Sequence, residues 1–554
     1  MFWVDCNACH CSNNLFNSGT LMDLQKYFPY DAMRPQQEQV LTELYSHWND
    51  KKYFFLQLDV GTGKSGIAKA AANWSASAAV ITGTKQLQDQ YISDFKHKGD
   101  IASIKGKGNY ECIKNHLLTC ENGPCTLKRD GHKPSCIGDC LYTKAIGQAR
   151  MAHTMVTSYA YLFTIGAPKS FKPRDLMVFD ECHMMEDQLL SHASFVIDPK
   201  KLQDTYGIFK DFTLKEINEK IKAFTESGWD ANKDRFDSLL KDVNAAISIM
   251  QDDIDDLAST ESLEDSYVVD LYNQKNKAIH KLMSLSGKML GLCNADKADW
   301  LIVPNADGNL ECTPLKINGL FNKFCSAWAN KFIFMSATIF DIDGYIADLG
   351  INPEECYTIK LNSTFDPTKS PIYYMPCGSM NFRDLDDSLP KVTNTVRSIL
   401  THHATDKGII HTGNYKVAKY LNAALTDRRL LMKESNTISN SDLLRIHSKS
   451  KNTVLMSPSM TTGVDLKDDL SRFQVIVKMP FSSLGDLRTK TKADQNSTWY
   501  AIKMLRELVQ ASGRSTRSED DYSATYILDS SFKYWIYKYK KYLPDYFLNR
   551  IKGF

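Results

Sequence analysis

The sequence predicts an α/β protein with two blocks of alternating strands and helices. A cysteine-rich segment and a long helical segment interrupt the first block. Three observations carry this. Residues 50 to 107 alternate short β-rich runs with helix-forming stretches, as α/β units do. The same texture resumes from residue 330 or so. Between the two, Phe236, Leu239, Val243, Ile247, Met250, Ile254 and Leu257 recur at steps of three and four, one stripe of a long amphipathic helix. Ile279, Leu282, Met283, Leu285 and Met289 predict its antiparallel neighbour.

At 554 residues the chain has room for roughly three to five structural units. Its 67 Lys and Arg against 65 Asp and Glu leave a net charge of +2, so any surface for a polyanion must be local. A hydrophobic fraction of 43% and a mean hydropathy of −0.35 exclude a disordered, collagen-like or integral membrane chain. No apolar run reaches the roughly 18 residues a membrane helix needs. The start, MFWVDCNACHCSNN, lacks the basic flank and apolar stretch of a signal peptide. A cytoplasmic protein is expected, in the cytoplasm or nucleus of a host if it has one, so the fourteen cysteines are not expected to be disulfides.

Tyr53-Phe54-Phe55-Leu56-Gln57-Leu58 reads as a buried strand, followed by Asp59-Val60-Gly61-Thr62-Gly63-Lys64-Ser65 and a helix-forming stretch. Strand, glycine loop, Lys-Ser and helix make the context of a phosphate-binding loop. Gly61, Thr62 and Gly63 supply backbone N–H groups, and the helix start adds its positive end. Lys64 can reach the β- and γ-phosphates of ATP, and the Ser65 hydroxyl can hold Mg²⁺. The first glycine of the usual pattern is replaced by Leu58.

Leu176-Met177-Val178-Phe179 is a second apolar strand, and it ends in Asp180-Glu181-Cys182-His183. At the edge of such a sheet the first acid, Asp180, orients Mg²⁺, and the second, Glu181, is placed to polarise the attacking water. A carboxylate pair therefore argues for hydrolysis rather than binding alone.

Asp180-Glu181-Cys182-His183 resembles the DEAH box of superfamily 2 helicases, and further elements follow in that superfamily's order. Arg34-Pro35-Gln36-Gln37 resembles the adenine-reading element, with Arg34 and Gln37 on the nucleotide. Thr84 to Gln90 resembles a strand-contact motif, and Ser336-Ala337-Thr338 the S-A-T coupling motif. Ser457 to Asp465 resembles motif V, with Thr462 where relatives often carry Glu and Asp465 on the nucleotide side. Gln510-Ala511-Ser512-Gly513-Arg514-Ser515-Thr516-Arg517 resembles the Q-x-x-G-R-x-x-R motif. The resemblance implies two tandem RecA-like cores that sandwich ATP, with Gln510, Arg514 and Arg517 facing Lys64 across a cleft. A planar guanidinium suits charge developing on a transferring phosphoryl group.

Five cysteines stand at Cys112-x7-Cys120-x4-Cys125-x10-Cys136-x3-Cys140, in a segment too poor in apolar residues to build a core. Four thiolates suit a [4Fe–4S] cluster or tetrahedral zinc, and none of the close spacings is the C-x2-C of zinc ribbons. The frame Gly108-Asn109-Tyr110-Glu111-Cys112 … Cys140-Leu141-Tyr142 is similar to that of the XPD/DinG family of iron–sulfur helicases. That resemblance implies a [4Fe–4S] cluster held by four of the five, with Cys120 as the expected spare, and a helical arch after the acidic box. It also implies 5′-to-3′ movement on single-stranded DNA and unwinding of forked DNA, by a monomer. A translocase or remodeller without net unwinding, and a nucleotide-gated scaffold, are the alternatives. The expected segments are 1–107, 145–195 and 326–355 for the first core, 108–144 for the cysteine insertion, 196–325 for the arch and 356–554 for the second core.

Lys96, Lys98, Lys105, Lys107, Lys128, Arg129 and Lys133 form a possible phosphate track near the cysteines, or simply a solvated face. Cys6, Cys9, His10 and Cys11 spell a C-x-x-C-H pattern or a small zinc knuckle, with a plain terminus preferred. Cys182, Cys293, Cys312, Cys325, Cys356 and Cys377 read as core residues, and His402, His403 and His411 as ordinary histidines.

Overall fold

The computed structural model describes residues 24–59, 61–97, 99–121, 123, 136, 138–165, 171–226, 229–260, 266–294, 299–305, 307–432, 440–458, 466, 468–516 and 521–553. Val60, Lys98, Cys125, Lys128, Arg129, Lys133, Thr462, Asp465, Arg517 and the Cys6–Cys11 group lie outside these residues.

Two seven-stranded parallel sheets carry the fold. In spatial order the first is Cys356–Leu361, Tyr53–Leu58, Ala329–Ser336, Arg174–Asp180, Ala78–Thr82, Thr154–Ser158 and Ile101–Ser103. All six residues of Tyr53–Leu58 are buried, because helices cover both faces of a parallel sheet. Phe55 stacks on Phe334 at 4.7 Å between ring centroids, and Phe334 on Phe179 at 5.1 Å, so an aromatic ladder ties the three central strands together.

The second sheet runs Leu430–Met432, Val454–Ser457, Gly408–His411, Phe473–Ile476, Ala524–Asp529, Ile372–Gly378 and Ile551–Lys552. The strand Cys356–Leu361, expected to open the second core, instead pairs with Tyr53–Leu58 along its whole length. The crossing between cores therefore falls between Leu361 and Ile372 rather than before Cys356. A short apolar strand is equally at home in either sheet, so its composition could not assign it.

Helices Trp229–Thr260 and Ser266–Cys293 lie antiparallel, with Lys275 paired to Asp253 at 3.2 Å and Ser286 donating to Asn244 at 2.7 Å. Phe236, Leu239, Val243, Ile247, Ile254, Ile279, Leu282 and Met289 are buried as the stripes predict, whereas Met283 is exposed. A three-stranded antiparallel sheet, Phe195–Ile197, Leu310–Pro314 and Trp300–Pro304, closes the base of this insertion. Cys182, Cys293, Cys312 and Cys325 are buried; Cys356 and Cys377 are half-buried, their thiols donating to the carbonyls of Asn352 and Met375.

The cores meet over a buried knot of charge. Glu186, on helix Met185–Ala193 just past the acidic box, accepts from Arg488 at 2.9 Å, Lys492 at 2.7 Å and the Trp499 indole at 2.9 Å. Arg488 also donates to the carbonyl oxygen of Pro314 at 2.8 Å, at the base of the arch, and Lys492 reaches Asp348 at 3.3 Å. Burial alone would raise the Glu186 pKa, but Lys492, Arg488 and Lys503 outweigh it and hold the carboxyl far below its usual range.

Candidate active site

The sheet order sets the site. The S-A-T strand lies between the phosphate-loop strand and the acidic strand, and the register Gln57 to Ser336 and Met335 to Asp180 brings the three strand ends level. Gly61 and Gly63 take φ of +88° and +73°, left-handed backbone that lets N–H groups close around a phosphate. A Cβ at Gly63 would run into the Gln37 amide, and one at Gly61 into the Phe365 ring. Arg34 donates to the carbonyl oxygen of Gly61 at 2.5 Å and Gln37 to that of Thr62 at 3.1 Å. The pair expected to read adenine thus also braces the loop. Lys64 starts helix Lys64–Trp74 and donates to the Leu58 carbonyl oxygen at 3.3 Å.

Asp59, at the base of the loop, is buried, and burial pushes its pKa from 3.8 up to about 6. The Ser363 N–H, 3.1 Å from its carboxylate, and Lys64 pull it down, and Asp545 pushes it up. The folded chain holds this proton more tightly than the unfolded chain does. The group's contribution to stability is therefore full at low pH and lost as pH rises through about 6. Asp59→Asn should stabilise the fold by about 1–3 kcal/mol near pH 8, with the gain gone near pH 4. Denaturant unfolding at the two pH values checks this.

Asp180 and Glu181 ionise in sequence. Burial and then the neighbouring Glu181 charge raise the Asp180 pKa. Burial opposes ionisation of Glu181 too, but hydrogen bonding to His183 and the Lys64 charge outweigh it and lower its pKa. Glu181 is held at φ 50°, ψ 49°, an uncommon conformation for a side chain with a Cβ. The Ser336 hydroxyl donates to the Glu181 carboxylate at 3.3 Å, and His183 Nδ1 lies 2.8 Å from that hydroxyl and 3.2 Å from the carboxylate.

From the second core, the Gln510 amide donates to His183 Nε2 at 2.8 Å and to the Thr338 hydroxyl at 2.9 Å. With the Gln510 amide in this orientation Nε2 is the acceptor, which leaves Nδ1 to face Ser336 and Glu181. Arg506 donates to the Thr338 carbonyl oxygen at 2.9 Å. The acidic box, the S-A-T strand and the second core are joined through these few hydrogen bonds.

Arg514 is nearly buried in the second core beside His411, whose pKa is lowered to about 3 by burial and then by that guanidinium. His403 is a core histidine, bonded to Asp406 and Tyr526 and stacked on Phe473. Residues not singled out from sequence are His183, Arg506 and Tyr91, whose buried hydroxyl lies close to Ser65 and Asp180.

Cys120 and Cys140 lie 3.7 Å apart, sulfur to sulfur. Burial, Cys140 and Cys112 push the Cys120 thiol up to about 11, with the Tyr142 N–H opposing. Cys136 joins them through the backbone, its carbonyl accepting from the Cys140 N–H at 2.7 Å. Cys120, expected as the spare, thus lies beside Cys140, while Cys125 is outside the described residues. Among the described residues no three Cys, His, Asp or Glu side chains converge as a metal site. The two adjoining sulfurs, with a third in electrostatic reach, fit a thiolate donor set. Of the basic track, Lys105 pairs with Asp89 at 2.5 Å and the Lys107 ammonium lies 5.7 Å from the Tyr142 ring centre, whereas Lys96 is exposed.

Comparisons with known proteins point to helicases. Residues 403–550 match a helicase C-terminal domain family, and residues 31–226 the family of the type III restriction enzyme res subunit. The ATP-dependent DNA helicase YoaA of Escherichia coli (strain K12) is 21% identical, over 92% of this chain and 93% of its own. A "Probable ATP-dependent helicase" of Methanocaldococcus jannaschii is 19% identical, over 94% and 96%. Among solved structures, an XPD helicase superposes with a TM-score of 0.64 at 15% identity, over 92% of this chain and 98% of that one. Xpd4 of S. tokodaii gives 0.55 at 15%, over 94% and 100%. The chain is an enzyme of helicase superfamily 2. Within that superfamily its fold is similar to that of the XPD helicases. No helix among the described residues is long and apolar enough to cross a membrane.

Proposed function

We propose that this helicase moves 5′-to-3′ along single-stranded DNA and parts a forked duplex, driven by ATP hydrolysis with Mg²⁺. The observation that supports this most is the hydrogen-bonded route from Glu181 through Ser336 and His183 to Gln510, because it ties the hydrolytic carboxylate on one core to the other core. In this proposal Lys64, Ser65 and Asp180 hold the triphosphate and its Mg²⁺, and Glu181 takes the proton of the attacking water. Arg514 and Arg517 meet the γ-phosphate when the cleft closes, with Asp465 on the nucleotide side. Loss of the γ-phosphate removes that bridge, and the cores part. Alternating grip on the strand then gives stepwise movement. The polarity rests on the family resemblance.

Cys112, Cys120, Cys136 and Cys140, or Cys125 in place of one of them, would hold a [4Fe–4S] cluster, with zinc the alternative; elemental analysis separates the two. Bound metal would stiffen a segment with little core of its own.

The test is strand release from forks carrying a single 5′ or 3′ tail. The 5′-tailed fork should open with ATP, and single-stranded DNA should raise ATPase turnover several-fold. Stimulation without release would favour the remodeller, and absence of stimulation would leave the scaffold.

A further inference from the structure

We propose that the helix Phe532–Tyr539 and the turn after it form a separate contact for single-stranded nucleic acid. This rests on the helicase reading but adds a surface that the motor motifs do not include.

The helix uses Phe532, Ile536 and Tyr539 to fill the second core, and its outward face carries Tyr534 and Tyr537, 58% and 65% exposed. Single exposed aromatics are ordinary; here they are interleaved with charge. No Asp or Glu occurs from Ser530 to Pro544, whereas lysines occur at 533, 538, 540 and 541. In a chain with a net charge of only +2 this is a local concentration.

Lys538 is fixed among the rings. Its ammonium is 3.3 Å from the Tyr534 hydroxyl and lies 5.6 Å from the ring centre of Tyr534 and 5.4 Å from that of Tyr539. Tyr537, Lys538, Lys540 and Lys541 line a recess of about 540 Å³. The carboxylate in its wall, Asp545, accepts from Asn362 at 3.4 Å, at the crossing between cores. A π-face beside a cation, next to a lysine-lined recess, is the combination that binds a base and its phosphate without regard to sequence.

The dimension favours a strand over a lone nucleotide. An eight-residue helix is about 12 Å long, the rise of three to four stacked nucleotides at about 3.4 Å each.

The test uses the full chain and oligo-dT, with affinity measured across a salt series. The double variant Tyr534→Ala, Tyr537→Ala should weaken binding by about thirtyfold or more. The double variant Lys540→Ala, Lys541→Ala should flatten the slope of log affinity against log salt by about 1.4, the share of two phosphates on a single strand. All four positions lie outside the proposed catalytic machinery, so ATPase without DNA should be unchanged. An oligonucleotide carrying 5-iododeoxyuridine should crosslink to the peptide holding Tyr534 and Tyr537. Unchanged affinity and slope in both variants would overturn the proposal. So would an altered KM for ATP with unaltered strand binding, because the recess would then belong to the nucleotide cleft. Wild-type protein that binds no single strand at all would overturn the helicase reading itself, an outcome distinct from either.

Discussion

Glu181→Gln is expected to cut kcat for ATP hydrolysis by about 10²–10⁴-fold and to leave KM for ATP within a few-fold. Glutamine keeps the size and one acceptor oxygen, so the bond from the Ser336 hydroxyl can persist. What it removes is the negative charge that His183 and Lys64 stabilise. A group acting only on the reacting water lowers turnover without loosening the bound triphosphate, which the loop holds by itself. Steady-state ATPase with and without single-stranded DNA measures both parameters. A variant with kcat within threefold of wild type would remove Glu181 from the hydrolytic step.

Glu186→Ala should destabilise the protein by about 3–5 kcal/mol, the usual cost of stripping one partner from a buried ion pair. Arg488 and Lys492 would keep their charges in a closed interface after losing the carboxylate that balances them. Replacing Arg488, Lys492 and Glu186 together with apolar residues of similar volume should restore much of that loss. The stability of the triple variant would then exceed that of Glu186→Ala, which no simple loss of contacts predicts. Denaturant unfolding of the two proteins decides it. A Glu186→Ala chain as stable as wild type would mean that the cores do not depend on this contact.

The elements of the candidate nucleotide site were legible because each is local. Strand, glycine loop and helix fit within Tyr53–Trp74, and the acidic pair follows directly on its strand. The knot at Glu186 was not legible. Its partners lie some 300 residues further along the chain, and Arg488 and Lys492, four residues apart on a helix that is mostly polar, look like any solvated face. Met283 was read into the arch core because both it and Leu282 fit a three-or-four step; only the packing assigns Leu282 to the inside. His183 was visible as a letter of the acidic box, but its link to Gln510 needed both cores in place.

The arch leaves the first core after the acidic strand and returns through the strand that carries S-A-T, and those two strands are neighbours. One stalk therefore leaves beside Asp180 and Glu181, and the other re-enters at Ala329, opposite Arg174, at the far end of the neighbouring strand. Any tension put on the insertion is delivered to that pair of strands before it reaches the rest of the first sheet. A change in the spacing of the two stalks would thus be felt along the length of the strand pair that ends in Asp180 and Ser336.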